Sequence, residues 1–183
     1  MKLKLNHDRP QYDLVCIGDC TIDAFIKLKE AAIHCDVNKE NCQLCMPFAT
    51  KIPYESLFVV AAVGNSSNVA VGAARLGFKT AIITAVGGDR YGMVILDVYR
   101  KEGVGTEFVK VNKTKPTNYH FVLNYKAERT ILIKHNEYKY FDPKIIDQKT
   151  KWLYFSSMAE SALPFHDKLA RFLKKHPEIK FGF

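Results

Sequence analysis

The sequence predicts an α/β protein in which helices cover both faces of a mostly parallel central sheet. Short apolar segments rich in β-branched residues alternate with segments whose apolar residues recur at helical spacing, and this alternation is typical of strand–helix–strand units. At 183 residues and 48% hydrophobic content, the chain is long enough for one well-buried core and too short for two. We therefore expect residues 1–183 to belong to a single domain.

Three segments predict the first strand–helix–strand unit. YDLVCIGD (12–19) and TAIITAV (80–86) are apolar runs that end at or next to glycine, as buried strands often do. Between them, one helix face is formed by Val69, Gly72, Ala73 and Leu76. Gly77 follows at the position where a helix commonly ends.

The rest of the chain repeats this alternation. The apolar face of a second helix, followed by Gly103, consists of Tyr91, Val94, Ile95 and Val98. A third helix is predicted to begin at Pro164, and its apolar face consists of Phe165, Leu169, Phe172 and Leu173. TNYHFVLNY (117–125) and RTILIKH (129–135), separated by the polar link KAE, predict a β-hairpin outside the parallel sheet. Further strand candidates are TEFVKV, KWLYFSS and EIKFGF.

The composition favours a cytoplasmic protein. No run approaches the roughly 18 apolar residues that a membrane span needs, and the start MKLKLNHDRP has no apolar signal core, so we expect no membrane partner. The 27 basic and 19 acidic residues give a formal charge of +8. The basic residues are scattered, and the densest pair, Lys174 and Lys175, suits the C-terminal end of a helix dipole. We therefore expect no nucleic-acid partner.

The stretch AAVGNSSNVAVGAARLG (61–77) allows two interpretations. In the first, Asn65, Ser66 or Ser67 caps an ordinary helix that has small residues where it crosses the sheet. In the second, the unpaired N–H groups of the helix start and the amide of Asn68 receive a hydroxyl-rich or anionic ligand. The local sequence does not decide between them.

Small residues also recur at a wider spacing, at Gly64, Asn68, Ala70, Gly77 and Gly87. Together with CIGDCTID upstream and GGDRYG, AERT and YFSSMAESALP downstream, they resemble the PfkB carbohydrate kinases, the ribokinase-like family. Val63 departs from the family pattern, which usually has glycine or alanine at that position. The larger side chain narrows the approach of a substrate to the helix start.

This resemblance implies a ribokinase-like three-layer α/β/α fold with a small β lid, formed by segments of about 24–60 and 117–135. It implies transfer of the γ-phosphate of ATP, with Mg²⁺, to a hydroxyl of a small-molecule sugar or nucleoside. A lid is expected because phosphoryl transfer must exclude water. Members of the family often form homodimers through their lids, and we expect the same here.

The resemblance also implies which residues bind the substrate. Asp23 is expected to accept hydrogen bonds from two sugar hydroxyls, because a carboxylate has several lone pairs and no donor; the alternative is a turn or capping aspartate. Gly64, Asn65 and Asn68 are expected to supply amide contacts. Glu160 lies near a position where some members of the family contact substrate.

Two further charged residues have competing interpretations. Arg129 in the hairpin is either a contact for an anionic substrate or an exposed turn arginine. Asp89 is predicted to be a structural turn residue and not a catalytic one.

The catalytic residues of the family are absent from the 183 residues. Its Gly-Ala-Gly-Asp motif, in which the aspartate accepts the substrate proton, does not occur, and neither does the Asn-x-x-Glu pattern that it uses near magnesium. The chain stops at Phe183 inside an apolar strand. We therefore expect the N-terminal part of a longer protein, truncated before the C-terminal part and inactive alone.

The segment HCDVNKENCQLC (34–45) is a candidate zinc site. His34, Cys35, Cys42 and Cys45 include a Cys-x-x-Cys pair, but adjacent His34 and Cys35 cannot easily both reach one metal. We therefore favour free thiols. The odd number of cysteines and the lack of a secretion signal argue against a disulfide framework.

The first functional hypothesis is the substrate-binding part of an ATP-dependent sugar or nucleoside kinase. The alternative is a non-catalytic sugar-binding or interaction module, stabilised by zinc or without it. A dinucleotide-binding protein is disfavoured, because GDCTID and not Gly-x-Gly-x-x-Gly follows the first strand.

Overall fold

The structure is a computed structural model that describes residues 11–147 and 150–183. Within this part of the chain, the strands are β1 (Tyr12–Ile17), β2 (Thr21–Leu28), β3 (Ala32–His34), β4 (Gln43–Cys45), β5 (Tyr54–Val63), β6 (Thr80–Gly87), β7 (Val104–Gly105), β8 (Val109–Asn112), β9 (Tyr119–Tyr125), β10 (Glu128–Leu132), β11 (Thr150–Phe155) and β12 (Lys180–Gly182). The helices are α1 (Asn65–Arg75), α2 (Arg90–Lys101) and α3 (Leu163–Lys175). Short 3-10 turns span Pro143–Asp147 and Glu160–Ala162. None of the helices described is long and apolar enough to cross a membrane.

The chain forms two compact units. The larger unit contains the described residues up to Thr21, together with Ala61–Asn118 and His135–Phe183. The smaller unit contains Ile22–Val60 and Tyr119–Lys134. Each unit is described by itself below.

The larger unit contains a parallel sheet with the strand order β12, β11, β1, β6 and β7, and β8 also pairs with β6. Strand β1 lies between two parallel neighbours, with Leu14 opposite both Trp152 and Thr80. Parallel neighbours require long crossover connections, which helices α1, α2 and α3 provide. The predicted α/β fold with a mostly parallel central sheet is therefore confirmed.

Helices cover both faces of this sheet. On one face, α3 packs against apolar side chains of the strands, and the shared core consists of Val15, Ile17, Ala81, Ile83, Phe108, Ile146, Leu153, Phe165, Leu169 and Phe172. The hydroxyl of Thr80, one residue before Ala81, donates to the carbonyl of Ala70 in α1 (3.1 Å). Because successive strand residues point to opposite faces, α1 lies on the other side of the sheet from α3. The predicted apolar face of the third helix is thus its buried face.

Helix α2 begins at a side-chain cap. The carboxylate of Asp89 accepts hydrogen bonds from the N–H of Gly92 (3.0 Å) and the N–H of Thr117 (2.9 Å), and also from the Thr117 hydroxyl. Burial alone would raise the pKa of Asp89, but these hydrogen bonds outweigh it and hold the pKa below its usual range. The interpretation of Asp89 as a structural residue is confirmed.

Replacing Asp89 with alanine is expected to lower the free energy of unfolding by about 1–2 kcal/mol, because α2 loses its cap. Since the folded state lowers the pKa of Asp89, its carboxylate contributes stability that is present at neutral pH and lost as the pH falls below the usual aspartate range. Urea denaturation of wild type and Asp89→Ala at pH 7 and pH 3 checks this. A difference that is equally large at both values would contradict the expected pH dependence.

The smaller unit contains a four-stranded sheet in the order β10, β9, β2 and β5. Strands β9 and β10 form the predicted hairpin, in which Lys126 takes the left-handed backbone conformation (φ 55°) that a tight turn needs. Strand β5, at the edge of the sheet, exposes Leu57, Phe58, Val59 and Val60. Closure of this unit as a lid and pairing of two copies through it stay predictions.

The expectation of free thiols in residues 34–45 is wrong for two of the three cysteines, because Cys35 and Cys42 form a disulfide. Strands β3 and β4 pair in antiparallel register, and the carboxylate of Asp36 accepts hydrogen bonds from the Glu40 N–H (2.7 Å) and the Asn41 side chain (2.9 Å). These bonds close the loop and bring the two cysteines together. Sulfur atoms joined in a disulfide are not available as thiolate ligands for zinc.

The other three cysteines are free thiols. Cys16 is fully buried in β1, which confirms its interpretation as a core residue, and burial raises its pKa to about 12. Cys45 is opposite Ala32 in the β3–β4 register. The described residues contain no group of three or more histidine, cysteine or acidic side chains that could hold a metal ion.

Candidate functional site

The sequence-predicted site residues occur in both units. Asp23 belongs to the smaller unit, and Gly64, Asn65, Asn68 and Glu160 belong to the larger one. Each group has its own local geometry.

Asp23 lies on β2 opposite His120 of the parallel strand β9. The Nδ1 atom of His120 is 3.5 Å from Oδ1 of Asp23, and the side chains are only 12% and 19% exposed, respectively. Oδ1 itself is buried and accepts no hydrogen bond from the residues that the structure describes. A carboxylate oxygen in this state has an unused capacity to accept a hydrogen bond, which is costly unless a ligand or water supplies the donor.

The electrostatic surroundings of Asp23 have two opposing parts. Burial raises the pKa of Asp23, whereas His120 in its protonated form and Arg129 lower it. Arg129 is exposed on β10, so its influence on Asp23 acts at a distance across the sheet. The net shift is upward, so the ionised carboxylate is less favoured here than in water.

Gly64 lies where β5 ends and α1 begins, and its backbone conformation (φ 116°, ψ 157°) is one that essentially only glycine adopts. A Cβ atom at this position would lie 2.6 Å from the backbone carbonyl oxygen of Asp19. Glycine is therefore required both by the backbone conformation and by the close approach of the segment that follows β1.

The predicted capping of α1 by Asn65, Ser66 or Ser67 is wrong. Gly64 holds the cap position, and no side chain caps the helix. The hydroxyl of Ser66 instead donates to the carbonyl of Ile17 and lies 2.6 Å from the hydroxyl of Ser156. The hydroxyl of Ser67 lies 2.7 Å from that of Tyr99. Both serines are fully buried, and their hydroxyls are satisfied by hydrogen bonds to other parts of the fold.

The outer side of the same helix start is exposed. Asn65 and Asn68 both face solvent, and the first turn of α1 contains no acidic residue. No capping side chain binds the first N–H groups of the helix, and N–H groups at a helix start are a common site of ligand binding. The start of α1 thus combines a buried face of small residues with an exposed face that has two amides.

Asp19, which the sequence analysis did not select, connects several segments of the larger unit. Its carboxylate accepts hydrogen bonds from the Tyr140 hydroxyl and from the N–H of Ala159 (2.8 Å). The Nδ1 atom of His135 is 3.7 Å from Oδ2 of Asp19. Burial, with the nearby charge of Asp19, raises the pKa of Tyr140, which keeps this hydroxyl protonated as the donor.

Asp19 also brings the predicted residues of the larger unit into one neighbourhood. Its backbone carbonyl lies next to Gly64, and its carboxylate binds the residue that precedes Glu160. Glu160 itself is exposed at the start of a 3-10 turn. One signal could have identified Asp19 from the sequence, namely its position two residues after the end of β1, because ligand sites in parallel sheets lie at the carboxyl ends of the strands.

Comparisons with known proteins agree with this architecture. A family model described as the pfkB family carbohydrate kinase matches residues 12–174. A protein of Pyrococcus horikoshii named as a sugar kinase is 29% identical over 118 residues, which cover 61% of this chain and 38% of that protein. The ribokinase of Haemophilus influenzae is 30% identical over 94 residues, which cover 49% of this chain and 30% of that protein. The chain therefore spans only about a third of the length of these curated relatives.

Solved structures share the fold. A ribokinase of Arabidopsis thaliana, complexed with ribose and ATP, matches with a TM-score of 0.69 and 17% identity, over 93% of this chain and 52% of that one. The fructokinase of Halothermothrix orenii matches with a TM-score of 0.65 and 22% identity, over 92% and 56%. At such identities, the likeness establishes the ribokinase-like fold alone. Since the family model covers most of the sequence, the chain belongs to the pfkB family of carbohydrate kinases.

Proposed function

We propose that these residues form the acceptor-binding part of an ATP-dependent kinase, which transfers the γ-phosphate to a hydroxyl of a sugar or nucleoside. The observation that carries the proposal is the carboxylate of Asp23, which is largely buried on β2 and has an oxygen that accepts no hydrogen bond from the described residues. Membership of the pfkB family supports the reaction class.

Asp23 is suited to bind a pair of neighbouring hydroxyls. Each hydroxyl donates one hydrogen bond, and an ionised carboxylate accepts on both oxygens. Such bonds to a charged group are stronger than neutral ones, and burial excludes water that would compete for them. Burial raises the pKa of Asp23, and protonated His120 and Arg129 offset part of this effect in favour of the ionised form that this role needs.

Gly64, Asn65 and Asn68 are proposed to contact the same acceptor from the start of α1. The exposed amides of Asn65 and Asn68 offer both donors and acceptors to sugar hydroxyls. Glu160 is proposed as a further contact, positioned through the hydrogen bond between Asp19 and Ala159. The idea that these residues and Asp23 share one ligand rests on the family resemblance.

The smaller unit is proposed to act as the lid, which closes over the acceptor and excludes water. ATP and Mg²⁺ would supply the phosphoryl group and the neutralising charge in this chemistry. The described residues contain no group of three or more histidine, cysteine or acidic side chains that could hold a metal ion. The proton acceptor and the phosphate-binding helix start are proposed to lie in a region beyond these residues.

A kinase assay on two proteins tests the proposal. The complete gene product is expected to form ADP only when a sugar or nucleoside acceptor is present, whereas the 183-residue chain is expected to give no turnover, since it lacks groups that each contribute orders of magnitude in rate. Acceptor-dependent ADP formation can be followed with ribose, fructose, sugar phosphates and nucleosides. Turnover by the 183-residue chain would contradict the assignment of the base to another region. Acceptor binding by the complete product without any turnover would favour a non-catalytic sugar-binding module.

A further inference from the structure

A basic groove lies along one side of α3 in the larger unit. One part, of about 500 Å³, lies between α3 and the 3-10 turn at Pro143–Asp147, and a second part of about 330 Å³ adjoins it at Lys168. Six basic side chains line the two parts, namely Lys110, Lys139, Lys144, Lys168, Arg171 and Lys175. These six residues and the surface between them are called the basic groove.

The charge of the basic groove is poorly compensated. Asp142 is the one acidic residue among its described lining residues, and it lies 3.7 Å from the Nζ atom of Lys168. In the part of the chain that the structure describes, none of the other five cations forms an ion pair with an acidic side chain. The ammonium group of Lys110 instead lies 5.3 Å from the ring centre of Phe141. Like charges in a concave surface repel one another and attract anions.

Helix dipole effects account for only part of this pattern. Lys175 is in the last turn of α3, where a cation is favourable. Arg171 and Lys168 are about one and two turns earlier, respectively, and Lys144 belongs to a different segment. On α3 the residues 168, 171 and 175 share one side of the helix and are spread over roughly 10 Å of its axis, from a rise of about 1.5 Å per residue. The cations thus form a row that matches an extended anion better than a single small ion.

We propose that the basic groove binds a small anion with a chain of linked phosphate groups, either an inorganic polyphosphate or the polyphosphate part of a nucleotide. The volume is in the range of small-molecule sites, and arginine and lysine are the residues that bind phosphate oxygens. The site is distinct from the residues proposed to bind the acceptor, and it does not depend on the proposed kinase reaction.

Binding of tripolyphosphate to the purified protein, followed by calorimetry, tests this proposal. Saturable binding is expected, with an affinity that falls steeply between about 50 and 200 mM salt, because the contacts are between charges. The double substitution Lys168→Ala with Arg171→Ala is expected to weaken binding at least 10-fold. The matched control is Lys174→Ala, because Lys174 is on the same helix but does not line the groove. The affinity of this variant for tripolyphosphate is expected to stay within about twofold of wild type.

Two further ligands, CTP and a single-stranded oligonucleotide, show whether the groove binds an inorganic polyphosphate, a nucleotide or a nucleic acid. An equal affinity for CTP and tripolyphosphate would identify the phosphate chain as the recognised part, and a higher affinity for CTP would assign a nucleotide; both results support the proposal. Absence of saturable binding, or equal loss in the Lys174→Ala control, would overturn it. Affinity for a single-stranded oligonucleotide that increases with its length and exceeds that for tripolyphosphate would also overturn it, in favour of a nucleic-acid surface.

Discussion

Replacing Asp23 with asparagine in the complete protein is expected to lower kcat/KM for the acceptor about 10- to 1000-fold. Asparagine keeps the size of the side chain but replaces one acceptor oxygen by a donor, so a hydroxyl that donated to Asp23 now faces another donor. The lost charged hydrogen bond contributes about 1.5–3 kcal/mol, and misplacement of the reacting hydroxyl adds to the defect. The KM for ATP is expected to change little. Steady-state kinetics with the acceptor and with ATP varied in turn measure both.

The stability of the Asp23→Asn variant separates substrate binding from a structural role. Burial raises the pKa of Asp23, so ionisation of this group destabilises the folded state as the pH rises through that pKa. A neutral asparagine is therefore expected to leave the Tm at neutral pH unchanged or slightly higher. If Asp23→Asn instead lowers the Tm by several degrees and keeps the acceptor kcat/KM within about twofold, Asp23 has a structural role in β2 and the proposed site is wrong.

Two variants serve as comparisons in the same experiment. Asn68→Ala is expected to show an acceptor defect that resembles that of Asp23→Asn. Asp13→Asn alters an aspartate on β1 that pairs with Lys151 (2.6 Å), and its acceptor kinetics are expected to stay within about twofold of wild type. A similar defect in all three variants would point to a general loss of folding and contradict the assignment.

Replacing Gly64 with alanine is expected to lower the free energy of unfolding by about 2–4 kcal/mol. The backbone conformation of Gly64 is unfavourable by about 1–3 kcal/mol for other residues, and the new Cβ would lie 2.6 Å from the carbonyl oxygen of Asp19, which forces the backbone to move. Because the contact is with the backbone, no side-chain rotation relieves it. Thermal and urea denaturation measure the effect, and failure of the variant to fold would be its extreme form.

The matched control is Gly72, which lies eight residues after Gly64, inside helix α1. A Cβ at Gly72 meets no atom within 4 Å, so Gly72→Ala is expected to stabilise the protein by about 0.5–1 kcal/mol through helix propensity. A Gly64→Ala variant that unfolds within about one degree of wild type would contradict the requirement for glycine. If Gly64→Ala lowers the free energy of unfolding and Gly72→Ala raises it, the effect belongs to the junction of β5 and α1 and not to glycine replacement in general.

The hairpin and most strands and helices of the larger unit were predictable from the sequence because their signals are local, whereas β2, β3, β4 and β5 were not predicted as strands. The apolar runs at 12–19 and 80–86 became the adjacent parallel strands β1 and β6. Gly77 and Gly103 have the positive φ values typical of residues that follow a helix end. The hairpin of β9 and β10 also followed from alternation and a short polar link. Each of these features depends on a few neighbouring residues, so a single sequence contains the information.

The errors have a common physical origin. Ser66 and Ser67 have the side chains of helix caps, yet their hydroxyls bond to Ile17 and Tyr99, residues that are far away in sequence. A serine hydroxyl bonds to whichever partner the folded chain places beside it. The disulfide of Cys35 and Cys42 likewise depends on the loop that Asp36 closes, and spacing in the sequence does not reveal such a closure.

By itself, the sequence determined the fold class, the alternation of strands and helices in the larger unit and the resemblance to the pfkB family, because periodicity, glycine positions and linked motifs are present along the chain. Only the tertiary structure decided what surrounds the candidate residues. It left an oxygen of Asp23 buried with no hydrogen bond from the described residues, made Asp19 the junction of the segments around Gly64 and Glu160, and gathered scattered lysines into the basic groove. Burial and hydrogen-bond partners arise from contacts between residues distant in sequence, and such contacts exist only once the chain has folded.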